Sequence, residues 1–65
     1  MRIDKFLKVS RLVKRRTVAK EMAEKGRIKV NDRVVKSSYE VKLGDFIEVG
    51  YGTRQVRAKV LDIKE

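Results

Sequence analysis

No cysteine, histidine, proline or tryptophan occurs in this 65-residue sequence. Without Cys or His, disulfides are excluded, and so are the usual zinc, haem and iron–sulfur ligand sets. Nucleophilic catalysis by Cys–His or Ser–His pairs is excluded by the same absence. No Gly-rich phosphate loop with a Lys-Ser/Thr is present, and no paired carboxylates. The reading is therefore a protein that is not an enzyme and holds no metal or cofactor. No apolar run is long enough for a signal-peptide core or a membrane span, so a soluble, cytoplasmic protein without a membrane partner is expected.

A chain this short makes one domain, expected to fill residues 1–65. It buries only about 60% of the surface that its unfolded form exposes. Lacking staples, it must rely on well-placed Ile, Val, Leu and Phe.

What the sequence has in excess is positive charge. There are 18 Lys+Arg against 9 Asp+Glu, a net +9. Residues 1–29 hold eleven basic and three acidic residues, a net +8, and residues 30–65 contribute only +1. Such asymmetry is the electrostatic footprint of a polyanion binder.

Ile3, Phe6 and Leu7 recur at helical spacing, and Leu12 and Val13 extend the stripe. Residues 3–12 are predicted to form a helix, with Lys5, Lys8 and Arg11 on a second, basic face. Val18, Ala19, Met22 and Ala23 predict a second helix over roughly 16–25, starting somewhere in 15–17. Thr17 is a candidate N-cap, and Gly26 suits the left-handed position that ends the helix. Beyond Gly26 the period changes from 3.6 to 2. Ile28 and Val30, then Arg33-Val34-Val35, flank Asn31-Asp32 as a tight hairpin. Leu43-Gly44-Asp45 reads as a turn, residues 36–42 as a connection and 46–49 as a strand. Gly50 and Gly52 flank Tyr51 in a further turn, and Val56, Ala58 and Val60 alternate in a last strand. Two helices followed by three to five short strands predict an α+β domain.

Several residues are candidates for contact with the polyanion. Lys14-Arg15-Arg16 lies between the helices, Lys5, Lys8 and Arg11 on the first, and Lys20 on the second. Arg offers a planar fork of donors matched to phosphate oxygens, and Lys a compact charge. Free N–H groups at the start of the second helix add to the field. Asp4 is the only acid among residues 1–20. It complements the dipole of the first helix, or it forms a local ion pair that orients an Arg. Catalysis by it is disfavoured by the lack of a second acid nearby. Asn31-Asp32 is most simply a turn. Tyr39 and Tyr51 could stack on unpaired bases, whereas Phe6 and Phe46 read as core. Charge alone does not choose between RNA and DNA, so a general DNA-binding or nucleoid protein stands as the alternative.

Four pieces narrow the choice. Arg2-Ile3-Asp4-Lys5-Phe6-Leu7, Arg16-x-x-Ala19, Gly26-x-Ile28-x-Val30-Asn31 and Val41-x-x-Gly44-Asp45-x-Ile47 occur in this order. Together they resemble the RNA-binding domain family named after ribosomal small-subunit protein S-four, from Arg2 to about Val49. That resemblance implies two N-terminal helices packed on a small bent antiparallel sheet. It also implies RNA contacts centred on the helices and their junction: here Arg2, Lys5, Lys8, Arg11, Lys14, Arg15, Arg16 and Lys20. Arg15 stands where the family usually has Ser, which removes a helix cap and adds a cation. Asp32 stands where the family usually has Gly, which weakens the turn. The segments 5–12 and 14–17 are most similar to free-standing members in bacterial ribosome quality control. The resemblance thus implies binding to large-subunit rRNA and peptidyl-tRNA on an obstructed large ribosomal subunit. A partner protein would there direct C-terminal alanine addition. The chain is expected to act as a monomer.

Overall fold

The computed structural model describes residues 1–63. The chain runs α1 (Ile3–Val9), α2 (Arg16–Glu24), β1 (Ile28–Val30), β2 (Arg33–Val34), β3 (Phe46–Tyr51) and β4 (Arg54–Lys59). The strands form one antiparallel sheet in the order β2-β1-β3-β4. The two helices pack on each other, so the α+β architecture expected from the pattern is the one observed.

The helix α1 buries Ile3, Asp4, Phe6 and Leu7. It ends at Val9, three residues before the predicted end at 12. Ser10 caps it, and Arg11 turns left-handed at φ +65°. The backbone N–H of Val13 then reaches the Leu7 carbonyl at 3.0 Å. This bond folds the chain back, so Val13 enters the core at 1% exposure without any further helical turn.

The helix α2 buries Ala19, Met22 and Ala23. Val18, read as part of the same stripe, is instead exposed. Arg15 occupies the N-cap in extended conformation with no side-chain bond, and Thr17 lies inside the helix, so the candidate Thr17 cap is corrected. The far end is as expected. Gly26, at φ +73°, donates to Ala23, and Arg27 donates to Met22, each at 3.0 Å, which is the Schellman pattern.

The hairpin between β1 and β2 turns at Asn31 and Asp32, both left-handed at φ +52° and +67°. Two such residues give the primed turn whose twist matches the strands. Asn31 also ties β1 to β3. Its Oδ1 accepts the Phe46 N–H at 3.1 Å, and its Nδ2 donates to Asp45 at 3.1 Å. Ile28 and Val30 of β1 and Ile47 and Val49 of β3 face the helices and are buried. The opposite row carries Lys29, Glu48 and Arg57 side by side. Phe46 lies on that outer face at 57% exposure, with Lys59 Nζ 5.3 Å from its ring centre, so its assignment to the core is corrected. The strand β3 continues through Gly50 and Tyr51, and the turn falls at 52–53, later than predicted. No helix among the described residues is long and apolar enough to cross a membrane.

Candidate nucleic-acid interface

The basic residues of the N-terminal half are organised around a buried acid. Asp4 is 3% exposed, at the first turn of α1. Its Oδ2 lies 3.3 Å from an Arg2 guanidinium nitrogen and its Oδ1 3.4 Å from one of Arg16. Oδ1 also accepts the backbone N–H of Lys5 at 2.8 Å. The ion-pair reading of Asp4 is therefore the observed one, with two arginines where one was considered. Both guanidiniums remain close to half exposed. Their donors not directed at Asp4 are thus available to a ligand.

Tertiary structure sets both arginines. Arg2 pairs with Glu40 in an isolated antiparallel bridge, and Ile3 N–H donates to the Tyr39 carbonyl at 2.8 Å. Arg16 is the first residue of α2. With Lys20 one turn on, and with Thr17, they line a concavity of about 260 Å³ over Asp4.

A second concavity, of about 420 Å³, is lined by Lys8, Arg11, Leu12, Val13, Lys14 and Tyr51. The structure thus divides the candidate set. Arg2, Arg16 and Lys20 gather at the first concavity, and Lys8, Arg11 and Lys14 at the second. Lys5, half-buried, and Arg15, exposed, line neither. Lys14 and Arg16, on either side of the extended Arg15, line different concavities.

The tyrosines separate as well. The Tyr39 hydroxyl donates to Asp45 Oδ2 at 2.9 Å and belongs to a structural hub. That hydrogen bond to a carboxylate is the main reason its hydroxyl titrates above the ordinary tyrosine value, with burial and the nearby charge adding to it. Asp45 is 7% exposed and accepts from Tyr39, from Asn31 Nδ2 and from the Lys42 N–H at 3.0 Å. Burial alone would raise its carboxyl, but these three donors and the Lys42 charge outweigh it and hold the carboxyl below the ordinary value. Tyr51 is different. Its hydroxyl donates to the Leu12 carbonyl, and the residue is 38% exposed and lines the second concavity. Its neighbourhood with Leu12, 39 residues away, has no signal in the sequence.

Two helices backed by a four-stranded antiparallel sheet, with arginines of both helical segments converging on one acid, define a small domain of the S4 type. Residues 1–47 match the S4 domain family, and the chain belongs to that family. Over all 65 residues it is 55% identical to the RQC P-site tRNA stabilizing factor of Streptococcus pneumoniae, covering 74% of that protein. It is 52% identical to the factor of the same name from Bacillus subtilis, covering 76%. Among solved structures, it superimposes on Vibrio cholerae Heat Shock Protein 15, described as trimeric, with a TM-score of 0.91 at 30% identity. That match covers 98% of this chain and 65% of the other. The fold expected from the four sequence pieces is thereby borne out.

Proposed function

We propose that this chain is a non-catalytic RNA-binding factor of ribosome quality control. It binds large-subunit rRNA and the P-site tRNA in the cytoplasm. There it holds peptidyl-tRNA on an obstructed large subunit while a partner protein directs C-terminal alanine addition. The observation that carries the reading is the Asp4 cluster. One buried carboxylate holds two half-exposed guanidiniums, Arg2 and Arg16, with Lys20 beside them. Planar forks held in register match phosphate oxygens, and charge-assisted bonds of this kind are the strong ones. The names of the S. pneumoniae and B. subtilis relatives, similar along the whole chain, support the cellular setting.

The test is Arg16→Ala. The Arg16 guanidinium is close to half exposed, and the buried Asp4 carboxylate keeps Arg2 and the Lys5 N–H, so removing this pair should lower stability by about 1 kcal/mol. Binding to isolated large subunits, read by co-sedimentation, should weaken clearly. The slope of log K against log salt should fall by about 0.7 to 1 through loss of one phosphate contact. Unchanged co-sedimentation would count against the reading. Equal competition by duplex DNA would favour a general DNA-binding protein instead.

A further inference from the structure

We infer that the concavity beside Tyr51 is a pocket for one unpaired nucleotide. The base stacks on the Tyr51 ring, and the flanking phosphates lie on Lys8, Arg11 and Lys14. The inference rests on the RNA-binding reading and adds a site to it.

The chemistry of the lining is specific. Leu12 supplies apolar surface, Tyr51 an aromatic wall, and Lys8, Arg11 and Lys14 three cations, with no acid among the lining residues. The volume of about 420 Å³ falls in the range of small-ligand pockets. A cluster of cations alone would take any polyanion. An aromatic face among cations takes a flat ring carrying phosphates, and that ring must be unstacked from its neighbours to offer a face. A fully paired duplex offers none.

One further observation shows how the pocket is held together. The Tyr51 hydroxyl bonds to the Leu12 carbonyl, which fixes the tip of β3 against the chain following α1. This bond sets the ring at the edge of the three cations and leaves it partly exposed. The Asp4 cluster lies at the other concavity, so the two can be disrupted separately.

The test compares two RNA hairpins, one with an unpaired purine loop and one with the same loop made abasic. Binding is followed by fluorescence anisotropy across salt concentrations. Tyr51→Leu should weaken binding of the purine hairpin about tenfold, within the range for one stacked base. It should leave the salt slope unchanged, because stacking releases no counterions, and should not affect the abasic hairpin. Tyr51→Phe keeps the ring and loses only the bond to Leu12 that sets it, so it should lose clearly less binding than Tyr51→Leu. Lys8→Ala should lower the salt slope on both hairpins. Equal losses for Tyr51→Leu on the two hairpins would overturn the pocket and leave the RNA-binding reading standing. Equal losses for Phe and Leu would also overturn it, since the tether and not the ring would then matter. Failure of the wild type to bind the purine hairpin more tightly than the abasic one would overturn the pocket, while co-sedimentation with large subunits tests the RNA-binding reading separately.

Discussion

Replacing Asp4 by asparagine sets two effects against each other. The change raises the formal net charge from +9 to +10. If affinity followed charge alone, RNA would bind more tightly. One added charge about 7 Å from a phosphate gains only about 0.6 kcal/mol in water, before screening by salt. Against this stands the release of Arg2 and Arg16. Fully ordering one such side chain costs roughly 2 kcal/mol of rotamer entropy. Each guanidinium is ion-paired to Asp4 through one of its nitrogens, so with about half of that freedom taken as already given up the share is about 1 kcal/mol per arginine, or about 2 for the pair. The balance is a loss of about 1.4 kcal/mol, about tenfold in Kd. The protein stays folded. Asparagine still accepts the Lys5 N–H and leaves no buried charge, and two ion pairs whose guanidinium ends are close to half exposed together contribute about 1 kcal/mol. That lowers Tm by about 4–8 °C. Anisotropy titrations on one RNA, run well below Tm, measure the outcome. Equal or tighter binding by Asp4→Asn would refute the claim that Asp4 positions the arginines.

Two predictions concern stability. Asp32 holds φ +67° at a turn position that glycine occupies without strain, so Asp32→Gly should stabilise the hairpin by about 0.5–1 kcal/mol, seen as a higher Tm. Asp45→Ala leaves Asn31 Nδ2, the Tyr39 hydroxyl and the Lys42 N–H without their shared acceptor and should cost about 3 kcal/mol in urea denaturation. The pH dependence of the same hub follows from its two titrating groups. The Asp45 carboxyl is lowered on folding, so its contribution is complete above the unfolded value near about 4 and is lost as pH falls through the folded value. The Tyr39 hydroxyl is raised, so its contribution is complete below about 10 and is lost as pH rises through its folded value. In Asp45→Asn the acid loss of stability should flatten, and an unchanged acid limb would show that other carboxyls govern it.

Much of the fold was legible because it rests on local rules. Gly26 closing α2 and Asn31-Asp32 closing the hairpin are backbone requirements that a short sequence window displays. The end of α1 was not, because no glycine marks it. It is set by the bond from Val13 to Leu7 and by burial of Val13. Phe46 was misread although a signal existed. With period two, Phe46 shares a face with Glu48, and Ile47 and Val49 take the inner face.

By itself, the sequence determined the charge asymmetry, the change from helical to strand period, and the family. Composition and short-range spacing carry all of these. Only the tertiary structure decided that Asp4 faces both Arg2 and Arg16, that Lys14 and Arg16 line different concavities, and that Tyr51 meets Leu12. The physical reason is that these arrangements depend on how α1, α2 and β3 pack. That packing is set by the buried Ile3, Leu7, Ile28, Ile47 and Val49 side chains, which carry no functional chemistry of their own.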